Sequence, residues 1–187
     1  MVNPAPKVFS DGTIGIRPFR ESDVPLLFEA VRESISELSA WMAWCRPDYS
    51  IKESAEFIQS ASPAWDQGEH YSFVVFETAT SRFLGGAGLN FINRLHNFAN
   101  LGYWVRSSAT RRGVASRAVR LIARFGIEDL KFSRLEIVAA VGNVASQRVA
   151  EKAGARREGV LWKRLQLHGQ SQDAVMFSLV AEDLVAC

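Results

Sequence analysis

Cysteine is scarce in this chain, and long apolar runs are missing. The two cysteines, Cys45 and Cys187, lie far apart in sequence and form neither a CxxC pair nor a zinc-binding spacing. This pattern excludes a disulfide framework and indicates a reducing compartment. No apolar run approaches the ~20 residues that cross a bilayer, and the opening MVNPAPKVFSDG lacks the apolar segment of a signal peptide. We therefore expect a soluble cytoplasmic protein with no membrane segment and no bound metal.

A strong net charge of either sign is also missing. The 187 residues carry 22 Lys and Arg against 20 Asp and Glu, a formal charge of +2. This near balance disfavours a general nucleic-acid-binding protein, which needs a concentrated positive field. Hydrophobic residues make up 48% of the chain, enough for the core of a single domain spanning residues 1–187. We expect the polar, proline-bearing residues 1–12 to form a flexible tail.

Helical and alternating periodicities together predict an α+β fold. Three short strands in succession indicate an antiparallel meander, whereas the later order of strand, long helix and strand predicts a parallel pair. The predicted helices begin near Ser22 or Asp23, at the Ser50–Glu53 capping box, at Gly113 and at Asn143. The predicted strands are Thr13–Pro18, Tyr71–Glu77, Phe83–Phe91, Asn97–Val105, Arg134–Val141, Gly159–Leu167 and Ala174–Leu184.

The most informative stretch is LGYWVRSSATRRGVASRAVRLIARFGIED, from Leu101 to Asp129. It combines a buried strand, an arginine-rich polar loop, a glycine and a long helix. At a helix start, free N–H groups and the positive end of the helix dipole favour a bound anion. The glycine lets an anion approach the backbone, and the loop arginines add positive charge. The simpler alternative is an ordinary helix start with a solvated arginine face.

A second motif follows the next predicted strand. It begins Asn143-Val144-Ala145-Ser146 and continues with Lys152-Ala153-Gly154 and Glu158-Gly159. Together with Arg111-Arg112-Gly113-Val114-Ala115, it resembles the GNAT superfamily of acetyl-CoA-dependent N-acetyltransferases. The closest resemblance is to the RimJ/RimL type, which acetylates N-terminal amines of ribosomal proteins, and it covers nearly the whole chain. One departure is Thr110, where the family's pyrophosphate loop begins with Gln or Arg.

The resemblance implies a mixed, mostly antiparallel sheet of about seven strands, with a parallel pair that splays apart and helices on both faces. Acetyl-CoA would bind as a co-substrate, its pantetheine arm in the splay against the backbone of Trp104, Val105 and Arg106. The N–H at or near Val105 would meet the acetyl carbonyl and stabilise the oxyanion. The pyrophosphate would lie on Arg111, Arg112, Gly113, Val114, Ala115 and Ser116.

Acetyl transfer needs a neutral amine, a stabilised oxyanion and a proton for the departing thiolate. By resemblance, Ser146 donates that proton and Asn143 contacts the pantetheine arm, although both residues also suit an ordinary helix start. The position of a glutamate base in some relatives falls on Leu165, which cannot accept a proton. Glu136, His96 and a mechanism without a dedicated base are the alternatives, and we favour Glu136 or no base.

The acceptor site is expected between the first two helices and the closing hairpin. The large side chains that could line it, or could instead belong to the core, are Trp41, Met42, Trp44, Trp65 and Trp162. Their bulk and flatness suit a peptide end or an apolar amine.

We therefore predict an N-acetyltransferase that moves the acetyl group of acetyl-CoA to a primary amine, with a protein or peptide N-terminus as the expected acceptor. The second hypothesis is a small amine, such as a polyamine, an amino acid or an antibiotic. The third is a catalytically inactive acyl-CoA-binding regulatory module, motivated by Thr110 and Leu165. A nucleic-acid-binding domain is the weakest alternative. Relatives of this type are often dimers, so a homodimer is a further hypothesis.

Overall fold

An eight-stranded sheet forms the centre of the computed structural model, which describes residues 8–184. The strands are β1 (Phe9–Ser10), β2 (Ile14–Pro18), β3 (Tyr71–Glu77), β4 (Phe83–Asn93), β5 (Phe98–Val105), β6 (Arg134–Ala140), β7 (Arg156–Leu167) and β8 (Gln170–Leu179). The helices are α1 (Val24–Glu33), α2 (Ile35–Leu38), α3 (Ile51–Gln67), α4 (Val114–Arg124), α5 (Val144–Lys152) and α6 (Ala181–Leu184). The strand order is β1-β2-β3-β4-β5-β6-β8-β7, antiparallel throughout except for the pair β5 and β6.

The predicted fold class is confirmed, and the seven predicted strands are present with one addition. The extra strand β1 pairs with β2, with Phe9 opposite Ile16, because the Phe9 ring packs edge-on against Phe73 and Phe125. The prediction of a flexible tail over residues 1–12 is therefore wrong for Phe9–Ser10. Residues 1–7 and Cys187 lie outside the described residues.

The last strand ends five residues earlier than the predicted Leu184. Beyond Leu179 the chain turns into the short helix α6, because the Asp183 carboxylate accepts a hydrogen bond from the Val180 N–H at 3.0 Å. The other oxygen of Asp183 accepts from Arg156 Nε at 2.7 Å. Both contacts favour a capped helical turn over a continued strand.

Helices cover both faces of the sheet, because successive strand side chains point to opposite sides. On β3, Phe73 joins the core under α4, which buries Val119 and Ile122 on the same face. The next residue, Val74, faces the opposite way and packs among side chains of α1 and α3, including Leu27.

The strands β5 and β6 separate soon after they meet. Their parallel register covers Phe98–Asn100 against Arg134–Glu136 and ends there. Beyond this point β5 stays paired with β4 up to Val105, whereas β6 stays paired with β8 up to Ala140. The predicted splayed parallel pair is present, and a gap opens between the two strands.

The end of β5 is held by a buried arginine, Arg106, whose exposed fraction is 6%. Its guanidinium donates to Glu33 Oε2 from Nε at 2.9 Å and to Glu29 Oε1 from Nη2 at 2.7 Å. The next two backbone N–H groups donate to Ser34 Oγ and to Glu33 Oε1, at 2.9 and 2.8 Å. We call these contacts the Arg106 clasp. They join the end of β5 to the carboxyl end of α1.

The Arg106 clasp predicts a pH-dependent loss of stability in the variant Glu33→Gln. The Arg106 guanidinium lowers the pKa of Glu33 from 4.5 to about 2. A lowered folded-state pKa stabilises the protein above about pH 4.5, and this contribution is lost as the pH falls toward 2. We expect Glu33→Gln to lower the free energy of unfolding by roughly 1–3 kcal/mol at pH 7. Denaturant unfolding over a pH series measures the difference, which should shrink below pH 4.5.

Glu56→Gln is the matched control for this prediction. Glu56 lies on α3, 3.7 Å from Lys52 Nζ, with both side chains largely exposed. Such a pair contributes at most about 0.5 kcal/mol. A cost for Glu33→Gln no larger than that of the control, or one that does not change with pH, would contradict the structural role of the clasp.

Candidate active site

The gap between β5 and β6 opens into a cavity of about 690 Å³. Its sheet walls come from β4, from residues 100–104 of β5 and from residues 137–140 of β6. The amino end of α5 closes one side through Asn143 and Ser146. Aromatic side chains that follow α1 and precede β3 close the other side. The cavity therefore connects the two layers that cover the sheet.

Backbone groups of β5 line the gap in an alternating pattern. The Arg106 N–H donates to the Leu84 carbonyl of β4 at 2.8 Å, so its polar groups point away from the gap. Because neighbouring residues of a strand direct these groups to opposite edges, Trp104 also faces β4, whereas Val105 and Tyr103 face the gap. Of the three residues expected to offer backbone groups, Val105 alone faces the gap, and its neighbour in this role is Tyr103.

Ser146 and Asn143 are brought together at the start of α5. Asn143 is the N-cap, and its Oδ1 accepts a hydrogen bond from the Ser146 N–H at 3.0 Å. The Ser146 hydroxyl lies 3.0 Å from the hydroxyl of Tyr103, which crosses from β5. Asn143 and Ser146 thus have their ordinary capping role and also line the cavity.

The arginine-rich loop leads directly from the Arg106 clasp to α4. Gly113 caps α4 with φ of +75° and no side-chain hydrogen bond, so the first N–H groups of α4 lack a side-chain cap. Arg111 also has a positive φ, +61°, which costs a residue with a side chain roughly 1 kcal/mol. The Ser116 hydroxyl donates back to the Gly113 carbonyl at 3.1 Å. Val114 and Ala115 begin the first turn of α4. We call residues 111–116 the anion cradle, after the role that the sequence predicts for them.

The loop arginines differ in their partners. Arg112 Nη2 lies 3.0 Å from Glu77 Oε1, and Arg117 Nη1 lies 2.8 Å from Asp11 Oδ2. Within residues 8–184, Arg111 makes no ion pair, and its side chain is exposed. Arg111 is therefore the loop cation with the least to lose when an anion binds. The Arg106 side chain is committed to the clasp.

The candidate bases lie outside the centre of the cavity. Glu136 Oε1 accepts from Arg134 Nε at 2.9 Å, at the point where β5 and β6 separate. It is not among the described residues that line the cavity, and neither is His96, whose N–H bonds Asn93 in the β4–β5 turn. Leu165 does line the cavity, so the position expected for a glutamate is correctly placed but has an apolar side chain.

Three of the five large side chains proposed for the acceptor site line the cavity: Trp41, Met42 and Trp44. Trp41 also packs on the β6–α5 turn, where a Cβ at Gly142 would lie 3.3 Å from its Cη2. The other two do not line the cavity, and Trp65 has the core position that was its alternative. Trp65 is 5% exposed in the core and packs on Tyr71 and Phe125, whereas Trp162 is 85% exposed on the edge strand β7.

Several polar residues that no sequence motif singles out also line the cavity. They are His70, Ser72, Asn90, Asn100 and Tyr103. Alternation along the predicted strand places Asn100 on one face of the sheet and Tyr103 on the other, so the sequence alone indicates on which side each residue lies. The sequence does not indicate their cross-strand partners, because Asn90 opposes Asn100 only through the register of β4 and β5.

Residues 8–184 contain neither a metal-binding cluster nor a membrane-spanning helix. No cluster of three or more His, Cys, Asp and Glu side chains there is arranged to hold a metal ion. In the same range, no helix has the length and apolar character needed to cross a membrane.

Comparisons with known proteins agree with this geometry. Residues 13–156 match the family model of the acetyltransferase (GNAT) domain. YdaF of Bacillus subtilis (strain 168), provisionally assigned as a ribosomal N-acetyltransferase, is 25% identical over 173 residues, 91% of this chain and 92% of that protein. A provisionally assigned ribosomal-protein-serine acetyltransferase from Vibrio cholerae is 30% identical, with a TM-score of 0.82 over 96% of this chain and 99% of that one.

A second similar structure is RimL, a ribosomal L7/L12 alpha-N-protein acetyltransferase solved in complex with coenzyme A. It is 22% identical, with a TM-score of 0.86 over 95% of this chain and 99% of that chain. The predicted resemblance to the RimJ/RimL type is confirmed, as is the prediction of acetyl-CoA as the co-substrate. With a family model that matches more than half of its length, this chain belongs to the GNAT acetyltransferase family and is an acetyl-CoA-dependent N-acetyltransferase.

Proposed function

We propose that this enzyme acetylates the N-terminal α-amine of a protein and that the acceptor class is ribosomal. The names of YdaF, of the Vibrio cholerae protein and of RimL all refer to ribosomal acceptors. In this chain, the observation that carries the proposal is the chemistry of the acceptor end of the cavity. This end is lined by Phe19, Trp41, Met42, Trp44, Tyr49, Glu53, Phe57 and His70.

The acceptor end offers no free negative charge to a polycation. Glu53 is the one carboxylate among the described residues that line the cavity, and it already accepts from the Ser50 N–H and from Arg46 Nη2, both at 2.9 Å. A polyamine has several separated cations, and each would need a carboxylate partner. A single α-amine that attacks in its neutral form needs none. The aromatic walls suit the first side chains of an extended peptide.

The gap-facing edge of β5 fits the cofactor. Val105 and Tyr103 present backbone N–H and C=O groups that no neighbouring strand satisfies, which is the environment that an amide-bearing pantetheine arm can complete. Bound acetyl-CoA supplies an activated thioester. A gap-facing N–H of Val105 or Tyr103 polarises the acetyl carbonyl and stabilises the oxyanion. Trp104 is left with a side-chain role, because its backbone faces β4.

The anion cradle fits the phosphates of coenzyme A. The uncapped N–H groups of residues 113–116 and the positive end of α4 hold the pyrophosphate, and Arg111 adds a charge that needs no ion pair broken. Arg112 would have to leave Glu77, an exposed pair that costs little to open.

The Ser146 hydroxyl is the proton donor for the departing sulfur in this proposal. It lies on the cavity wall opposite the acceptor end, at the start of α5, with Asn143 fixing its backbone. General acid catalysis of this kind contributes roughly a hundredfold or more to a rate.

The base stays a prediction between Glu136 and none. Glu136 lies at the closed end of the gap, where it forms the last parallel pair with Asn100. Its ion pair with Arg134 at 2.9 Å holds the carboxylate away from the cavity. An amine that arrives neutral, or loses its proton through water, needs no residue in this role.

Two further expectations accompany this proposal. Ribosomal proteins are in the cytoplasm, so a ribosomal acceptor agrees with the predicted cytoplasmic location of this enzyme. A homodimer stays a prediction, which sedimentation of the purified protein would decide. An inactive acyl-CoA-binding module is the rival of another class, and Leu165 on the cavity wall is the observation that favours it.

We expect coenzyme A release when the protein meets acetyl-CoA and peptides with a free N-terminus. The same peptides with a blocked N-terminus and a free lysine should give no release, because the aromatic acceptor end admits one chain end. Polyamines and amino acids form the comparison set. Preferred turnover of a small amine would contradict the proposed acceptor, and acetyl-CoA binding without transfer to any amine would support the inactive module.

The variant Ser146→Ala should lower kcat roughly a hundredfold while KM for acetyl-CoA stays within about twofold, because the lost proton matters only as sulfur departs. Steady-state kinetics with the best peptide measure both constants. Ser60→Ala, an exposed serine on α3 whose hydroxyl bonds the Phe57 carbonyl, is the control and should leave kcat unchanged. An unchanged kcat in Ser146→Ala would rule out this donor.

The variant Arg111→Ala should raise KM for acetyl-CoA roughly three- to tenfold and leave kcat nearly unchanged, because it removes a charge-assisted contact to the pyrophosphate. The increase should diminish at high salt. Arg124→Ala removes an exposed arginine at the far end of α4 and is the control. Equal effects of the two variants would place the phosphates elsewhere.

A further inference from the structure

The hydroxyl of Tyr103 makes two contacts with one residue, Ser146. It lies 3.0 Å from the Ser146 carbonyl oxygen and 3.0 Å from Ser146 Oγ. Tyr103 extends from β5, whereas Ser146 lies in the first turn of α5, so the contact spans the two walls of the cavity. Neither the motifs nor the family match singles out Tyr103.

The hydrogen atoms can be assigned from the chemistry of the partners. A carbonyl oxygen only accepts, so the Tyr103 hydroxyl donates to it. Its single hydrogen is then used, and its oxygen accepts the hydrogen of the Ser146 hydroxyl. At rest, the serine hydrogen is therefore held on Tyr103 and is not aimed into the cavity.

A ligand sulfur changes this arrangement. When the Ser146 hydroxyl turns to donate to sulfur, its oxygen loses no partner, because the Tyr103 hydroxyl can turn from the carbonyl and donate to it. The Ser146 oxygen then accepts from Tyr103 while it donates to sulfur, and chains of hydrogen bonds of this kind strengthen one another. Burial raises the pKa of Tyr103 to about 12, so the phenol keeps its hydrogen at neutral pH.

We propose that Tyr103 is a positioning residue, which holds the Ser146 hydroxyl at rest and donates to its oxygen when that hydroxyl turns to the sulfur of coenzyme A. This inference rests on the proposed role of Ser146 as the donor to sulfur. It assigns Tyr103 no contact of its side chain with the acceptor amine.

The first test measures binding and needs no turnover. Calorimetry compares coenzyme A with desulfo-coenzyme A, which lacks the sulfur. The dissociation constant of desulfo-coenzyme A divided by that of coenzyme A measures the contribution of the hydrogen bond to sulfur. This ratio should fall roughly two- to tenfold in Tyr103→Phe. Ser146→Ala should reduce the ratio to the same extent, since the two residues act through one hydroxyl.

Tyr71→Phe is the matched control. Tyr71 is a buried tyrosine on β3, two strands away from β5, packed against Trp65 and Phe125 and outside the cavity lining. It should keep the wild-type ratio. Melting temperatures of all variants verify that a changed ratio does not come from partial unfolding.

The second test uses kinetics. Tyr103→Phe should lower kcat about tenfold with KM for acetyl-CoA within about twofold, and it should have no further effect when Ser146 is already alanine. A merely structural tyrosine would instead change KM and stability, and its effect would add to that of Ser146→Ala.

The outcomes separate this inference from the proposed function. A wild-type protein that does not distinguish the two ligands, or a Tyr103→Phe variant that still distinguishes them, overturns the role of Tyr103. If the wild type and variants follow the expected ratios but no amine is acetylated, the proposed function fails and the positioning role stands.

Discussion

The structure depends on one edge of β5 that finds no partner. Up to Asn100 this strand is paired on both sides, and beyond it the side toward β6 is open. Unpaired backbone N–H and C=O groups inside a protein cost roughly 1–3 kcal/mol each if nothing replaces the lost hydrogen bonds. A strand can keep such an edge only where solvent or a ligand reaches it. The cavity, the anion cradle and the start of α5 are all arranged around this edge.

Two contacts with the α1–α3 layer keep the gap open. The Arg106 clasp joins the end of β5 to α1, and the Trp41 ring packs against Gly142, just after β6 ends. Both walls of the gap are therefore tied to the same layer, which also forms the acceptor end of the cavity. The loop over residues 107–116 and the aromatic end of the cavity share these supports, since the clasp continues directly into that loop.

Local chemistry explains which predictions succeeded. The capping box from Ser50 to Glu53, the N-cap at Asn143 and the strand periodicities depend on neighbours within a few residues, and the structure has them. The predictions that went wrong depend on distant partners. Arg106 was expected to present its backbone to the cofactor, but alternation from Leu84 turns that backbone toward β4. Trp65 lies in the core and Trp162 lies on an exposed edge strand, and both positions depend on how distant parts of the chain pack.

The amino-acid sequence by itself determined the order of strands and helices, the start of α4 at Gly113 and the family to which the chain belongs. These features are written in short motifs, because propensity, capping and backbone freedom act over a few residues. Only the tertiary structure decided which backbone groups face the gap, that Arg106 forms ion pairs with α1, and that Tyr103 hydrogen-bonds Ser146. Those contacts join residues as many as 77 positions apart, such as Arg106 and Glu29, and their geometry is set by sheet register and helix packing.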